Sequence, residues 1–368
     1  MAVMRGTDTK QSSMLCLLSP EDRVPASHPL RAIKKLADAA LAELSPLFDE
    51  MYSKVGRSSI PPERLLKAQL LIALYSIRSE RQFCEQLDYN LLYRWFLDMS
   101  MVENVFDVTV FTKNRDRLIE HDVAKQFFSR IVERARAAGL MSNEHFTVDG
   151  TLIEAWASLK SFREKGERAE DRPPPDDPGN PSVDFHGEKR SNATHESTTD
   201  PEAKLARKSN NTTAKLCFSQ HALMENRNGL LVDLSLAEAN GTAERAAAIE
   251  MIDRELSGCR RITVGGDKAY DTKGFVAECR ARAVTPHVAQ NINAQRGSAI
   301  DNRTAHHEGY RVSQRLRKRV EEIFGWMKTI GGFRRTRYRG KERTRLASYL
   351  VGAAYNLLRM ARLLATPA

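Results

Sequence analysis

The apolar positions along the chain change period near residue 140. Before it they recur at three- and four-residue spacing. Leu30, Ile33, Leu36, Ala40, Leu41 and Leu44 follow His28-Pro29, and Leu65, Leu66, Leu70, Ala73 and Leu74 follow Pro61-Pro62-Glu63. Such spacing lines up one face of a helix, and proline in the first turn suits a helix start. A polar break at Arg78-Ser79-Glu80 precedes Phe83 and Leu87, then Leu91, Leu92, Trp95 and Phe96. The pattern predicts several short helices, forming either a helix-turn-helix-like DNA reader or a plain bundle.

Beyond residue 140 the texture becomes β-like. His145 to Asp149 reads as a strand ending in an acid. Ala214 to Ala222 and Gly229 to Leu236 flank Asn226-Arg227-Asn228-Gly229, a hairpin signal. There follow a helix over 243–256, a strand over 261–265, a helix over 272–283, a strand over 285–289 and a basic helix over 312–328. The order β, β, β, α, β, α, β, α predicts a mixed α/β fold of the ribonuclease-H-like kind, a five-stranded mixed sheet flanked by helices. Residues 161–213, Pro-rich at 173–175 and poor in large apolar side chains, read as a flexible excursion. The expected organisation is a flexible tail (1–25), an all-α N-terminal domain (26–140), the ribonuclease-H-like domain (141–345) and a C-terminal helix (346–368).

Charge adds a partner to this picture. The 368 residues carry 57 Lys and Arg against 47 Asp and Glu, a net charge of +10. Residues 301–368 alone hold 16 basic and 5 acidic side chains, a net +11, so the whole excess sits in the last fifth. A basic surface concentrated in this way suits a polyanion. No apolar run reaches the length of a membrane span, and the short patch Met14 to Leu18 is too brief for a signal peptide. The five cysteines (Cys16, Cys84, Cys217, Cys259, Cys279) are odd in number and form no Cys-x-x-Cys pair. They fit reduced thiols in a cytoplasmic protein better than a disulfide frame or a zinc site.

Three acids stand out by position. Asp149 ends the first predicted strand, Asp267 follows the fourth in Val264-Gly-Gly-Asp-Lys-Ala-Tyr270, and Glu321 lies on the last basic helix. In a ribonuclease-H-like sheet the first and fourth strands are neighbours and a late helix crosses them, so the three acids can converge. At roughly 100° per residue, Leu316, Val320, Ile323, Phe324 and Met327 form one apolar stripe. Arg317, Lys328, Glu321 and Gln314 line its edge, whereas Glu322 turns toward solvent. Asp271, the rival to Asp267, reads as the cap of the helix that begins near Thr272. Carboxylates of this kind suit hard divalent cations. Two Mg²⁺, with Mn²⁺ able to substitute, can activate an oxygen nucleophile and neutralise the leaving oxygen of a phosphodiester.

At these residues the chain resembles bacterial insertion-sequence transposases of the DDE type, close to the insertion sequence five family. The resemblance is carried by Phe146-Thr-Val-Asp-Gly-Thr151, by Val264-Gly-Gly-Asp-Lys-Ala-Tyr-Asp-Thr272, and by Arg315 to Lys328 continuing through Gly331 to Gly340. The family signature Tyr-x2-Arg-x3-Glu-x6-Lys falls on Arg317, Glu321 and Lys328, with Gln314 in the Tyr position. The resemblance implies cleavage at transposon ends and 3′-OH strand transfer into target DNA, with Asp149, Asp267 and Glu321 as catalytic metal ligands. It implies double-stranded DNA as partner, both terminal inverted repeats and target, and a homodimer or higher assembly on that DNA. Arg317 and Lys328 would hold phosphates near the scissile bond, and Arg334, Arg335, Arg337, Arg339, Lys341, Arg343 and Arg345 the flanking DNA. A ribonuclease-H-like nuclease without strand transfer, and a catalytically silent DNA-binding protein, are the alternatives.

Overall fold

The computed structural model describes residues 19–52, 59–166, 184–185, 188–209, 211–240, 243–256, 262–292 and 297–365. The N-terminal part is helical: α1 Pro20–Arg23, α2 Pro29–Ala42, α3 Ser45–Met51, α4 Pro62–Leu74, α5 Glu80–Tyr89, α6 Leu91–Phe96, α7 Thr109–Glu120 and α8 Val123–Ala137. Side-chain caps set several of the starts. Ser79 accepts from the Gln82 N–H and opens α5, while Asn90 accepts from Leu92 and Tyr93 and opens α6.

The strands follow: β1 His145–Glu154, β2 Phe162–Glu164, β3 Asp184–Phe185, β4 Glu188–Lys189, β5 His195–Ser197, β6 Lys204–Ala206, β7 Lys215–Glu225 and β8 Leu231–Glu238. After α9 (Ala243–Glu255) come β9 Ile262–Gly266, α10 Lys273–Ala281 and β10 Val284–Val288, then α11 Asn302–His306, α12 Glu308–Leu316, α13 Arg319–Thr329 and α14 Lys341–Ala365. Across the main sheet the strands run β8, β7, β1, β9, β10. β7 is antiparallel to both β8 and β1, while β9 is parallel to β1 and to β10. This is the ribonuclease-H-like order expected from the sequence. The β7–β8 turn closes where expected: Gly229 takes φ +68°, and the Glu225 carboxylate accepts from the Asn228 N–H at 3.0 Å.

Four details differ from the sequence reading. First, β1 does not end at Asp149 but continues to Glu154, because Thr151 to Glu154 keep pairing with β7 through Glu154↔Cys217. Second, part of the 161–213 excursion is ordered. β6 adds a sixth strand to the sheet, β2 pairs with β5, and Phe162, Ala203, Leu216, Phe218 and Leu236 share a small second core. A few apolar side chains suffice there because the sheet supplies the other wall. Residues 167–183 of the excursion, like the tail through residue 18, lie outside the described residues. Third, the basic helix is two helices, α12 and α13, interrupted at Arg317-Lys318. Both residues keep right-handed helical angles, and the ladder passes through three-residue bonds from Val320 to Arg317 and from Glu321 to Lys318. Fourth, the last helix starts at Lys341, five residues before the expected boundary.

The main apolar core does not divide at residue 140. Leu30, Phe83 and Phe128 from the helical part join Phe146, Val264 and Leu357 in one cluster. α14 is the shared element, packing on α2, α4, α8 and β8. Gly352 allows the close approach: a Cβ there would stand 2.6 Å from Leu234 and 3.3 Å from Phe128.

Candidate active site

The site is built where two parallel strands part. β1 and β9 pair from His145↔Thr263 to Thr147↔Gly265, so Asp149 and Asp267 each lie two residues beyond the last pair. The carboxyl ends of parallel strands commonly open such a crevice. Asp149 is half-buried. Burial pushes its carboxyl up to about 7, and the Asp267 and Glu244 carboxylates push the same way. A 2.8 Å hydrogen bond from the Gly150 N–H and the nearby Arg317 guanidinium pull against them. Asp267 accepts from the Ala269 N–H at 2.8 Å, which fixes its carboxylate at the strand end.

Asp271 takes a different part from the one its position suggested. Thr272 is the cap of α10. The Asp271 carboxylate instead accepts from the N–H groups of Asn291 (2.7 Å) and Ala299 (2.9 Å), which ties down the chain after β10.

The cationic side of the crevice comes from α12 and α13. Arg317 donates from Nε to Gln314 Oε1 at 2.9 Å, and Gln314 in turn donates to the His287 carbonyl on β10. The Gln found in the signature's Tyr position therefore anchors the arginine to the sheet. Lys328 Nζ donates to Thr151 Oγ1 at 2.5 Å. Thr151 shares the Asp149 face of β1, since side chains alternate along a strand. Burial, with Lys208 and Arg334 nearby, holds the Lys328 ammonium pKa below its ordinary value. Neither cation has a carboxylate partner within ion-pair distance among the described residues.

Glu321 sits on α13 between these two contacts, exposed, and its carboxylate makes no hydrogen bond or ion pair among the described residues. Glu322 lies instead on the side of α13 that approaches Tyr355 of α14. The structure therefore brings Asp149, Asp267 and Arg317 together, with Lys328 on Thr151 of the same face of β1, and leaves Glu321 exposed on α13 with no contact to either aspartate among the described residues. One acid there was not foreseen from the sequence. Glu244, in the first turn of α9, lies against β1 where Gly150 has no side chain: a Cβ on Gly150 would stand 2.6 Å from Glu244 Oε1. An acid in a helix's first turn is ordinary, so its type carried no signal. A glycine within a strand, which marks close approach, was the available clue.

The basic run after α13 is used unevenly. Arg335 donates to the carbonyls of Ala155 (3.0 Å) and Trp156 (2.6 Å), and Arg337 to the Ile77 carbonyl (2.6 Å). Arg343 pairs with Asp116 at 3.0 Å, and Arg345 with Glu342 at 2.7 Å and Asp122 at 3.4 Å. Arg334 and Arg339 are exposed without such partners among the described residues, and the Lys341 side chain also has none.

Among the described residues, no three His, Cys, Asp or Glu side chains form a ready-made cation cage. The donor set nevertheless fits a divalent metal. Asp149 and Asp267 are hard oxygen donors crowded in a partly dry crevice, an arrangement that a cation stabilises. No helix among the described residues is long and apolar enough to cross a membrane.

This fold and this crevice define a ribonuclease-H-like protein with an acidic centre. Comparison with known proteins sharpens the class. A family model described as Transposase DDE domain matches residues 182–357, and one described as Transposase domain (DUF772) matches residues 18–117. The chain belongs to the insertion-sequence-type DDE transposases, enzymes of DNA transposition. Asp149 lies between the two matched segments, so its role rests on the geometry above. No curated protein matches. Similar solved structures include a piggyBac transposase synaptic complex with hairpin DNA, at 10% identity, with 90% of this chain and 73% of that chain covered and a TM-score of 0.42. A pre-cleavage Mos1 transpososome matches at 11% identity, with coverages of 92% and 98% and a TM-score of 0.21. A Mos1 mariner paired end complex with Mn matches at 11%, with coverages of 90% and 97% and a TM-score of 0.21.

Proposed function

We propose that this transposase uses Asp149, Asp267 and Glu321 to hold divalent cations, cuts at the ends of its own element and joins the freed 3′-OH to target DNA. The observation that supports this reading is the convergence at the β1–β9 fork. Two acids flank the fork, and one helical edge reaches β9 and β10 through Arg317 and Gln314 and β1 through Lys328, with Glu321 between them in sequence. A pair of Mg²⁺ ions, or Mn²⁺ in their place, would activate the attacking water or 3′-OH and neutralise the leaving oxygen. The protein's own part is placement. Asp149 and Asp267 are set by the sheet, and Glu321 would complete the set from α13. Arg317, held by Gln314, grips a phosphate through its planar fork, and Lys328 supplies a point charge beside Thr151.

Arg334, Arg339 and Lys341 carry the flanking duplex in this reading, whereas Arg335, Arg337, Arg343 and Arg345 act mainly on the fold. Residues 26–140 contribute to DNA-end binding, and synapsis of two ends requires at least a dimer on DNA. The motifs favour the insertion sequence five family and a cytoplasmic, bacterial setting. The test combines the protein, Mg²⁺, a labelled duplex bearing the element's end and a plasmid target. Joined product that disappears with Glu321→Gln is expected. Cleavage without joining would replace this reading with that of a nuclease, and end binding without either step with that of a silent DNA-binding protein.

A further inference from the structure

Three features around Gly150 have no part in the reading above. The Glu244 carboxylate lies against the β1 backbone beside Asp149. The phenol of Tyr270 is 1% exposed, and its oxygen has no hydrogen-bond partner among the described residues. That oxygen lies within electrostatic reach of Glu244, Asp149 and Asp267. The imidazole of His221 is fully buried, and neither of its nitrogens has a partner among the described residues. Its Nδ1 would stand 2.9 Å from a Cβ on Gly150, on the same side as Glu244. Buried polar groups without partners are costly, and the Tyr270 phenol beside the three carboxylates, with His221 across the space at Gly150, calls for an additional polar occupant.

We propose that Glu244 is a further ligand of the metal centre, sharing a divalent cation with Asp149 and Asp267, and that Tyr270 is the positioning residue that orients these carboxylates around it. The inference rests on the reading of Asp149 and Asp267 as metal ligands. It explains why a glycine stands at position 150 in the middle of a strand: any side chain there would occupy the space of the Glu244 carboxylate. It also explains why α9 begins with its first turn against β1. Glu244 reaches the crevice from the Gly150 side of the sheet, and Glu321 from the helix that covers the Asp149 side.

The test is Mn²⁺ binding by the full-length protein without DNA, followed by electron paramagnetic resonance. The wild type and Glu250→Gln, an exposed acid on the same helix, are expected to bind alike. Glu244→Gln and Asp149→Asn are each expected to weaken binding by at least about tenfold. Gly150→Ala, which keeps the Glu244 carboxylate but displaces it, should weaken binding as well. Mn²⁺ should also shift the tyrosine absorbance of the wild type, and Tyr270→Phe should remove that shift. If Glu244→Gln fails to fold by circular dichroism, Glu244→Asp and Gly150→Ala carry the same comparison. Wild-type affinity in the folded Glu244 variants, together with loss in Asp149→Asn, overturns this inference and leaves the underlying reading intact. Wild-type affinity in Asp149→Asn, or no binding by the wild type, overturns both.

Discussion

Replacing single oxygens separates the roles of the acids. Asp149→Asn, Asp267→Asn and Glu321→Gln should each abolish end cleavage while leaving end binding, read by gel shift. Glu322→Gln should keep most activity, because that side chain lies toward Tyr355 and away from the crevice. A dead but folded Glu322→Gln would transfer the role to that residue. Asp149 also makes a pH prediction. Its carboxyl is raised from 3.8 to about 7, first by burial. Between those values the folded state binds more protons than the unfolded state, so this group's contribution to stability falls as pH rises. In metal-free protein Asp149→Asn should therefore raise Tm at pH 8, and the gain should shrink toward pH 4. A constant gain across that range would show that Asp149 titrates normally. Asp149 and Asp267 were legible in the sequence because each stands in or beside a short β-like run whose partner the element order dictates. Glu244 was not, since only the folded register shows that Gly150 makes room for it.

At the scale of elements, the segment from Phe333 to Arg345 reads in the sequence as one basic run but divides by contact. Composition reports charge and not which charges the fold has already used. Arg337 is half-buried and donates to the carbonyl of Ile77, in the turn after α4. Removing it leaves that acceptor without its donor, a loss of about 1–3 kcal/mol. Arg337→Ala should lower stability by that amount in urea unfolding. Arg339 is exposed and has no such contact among the described residues, so Arg339→Ala should leave stability unchanged. It should weaken DNA binding and reduce the slope of log affinity against log salt by about one. Equal effects of the two substitutions on the salt slope would mean that Arg337 leaves Ile77 to meet DNA. The helical reading of Val312 to Lys328 placed Arg317, Glu321 and Lys328 on one edge, and in the structure Arg317 and Lys328 both turn toward the sheet despite the break at Arg317-Lys318. The break escapes sequence reading because both residues retain helical angles and only the hydrogen-bond pattern changes.

At the scale of the molecule, the change of period near residue 140 suggests a boundary that the packing does not respect. The Phe128 and Tyr349 rings stand 5.6 Å apart, and Gly352 lets α14 press against both Phe128 of α8 and Leu234 of β8. Polar ties reinforce the join. Ser76 donates to the Ile330 carbonyl at 2.7 Å, Tyr338 donates to Glu80 at 3.0 Å, and the Arg115 guanidinium lies over the Tyr338 ring at 4.5 Å. Periodicity shows which face of each helix is apolar but not which distant helix covers it, and α14 is about two hundred residues away. A fragment of residues 26–140 would lose the wall formed by Leu346, Leu350, Ala353, Leu357 and Met360. Each large apolar side chain uncovered costs about 1.5–3 kcal/mol, so a few exhaust the 5–15 kcal/mol that holds an ordinary domain together. That fragment is therefore expected to show little helical circular dichroism and no cooperative melt, while the full chain melts with its helical and sheet signals together. A fragment that folds and binds the element's end would restore an independent N-terminal domain. If the N-terminal helices bind the element's end and the sheet carries the chemistry, as proposed, α14 joins the two through one core, so core substitutions in α14 should depress end binding and cleavage in parallel.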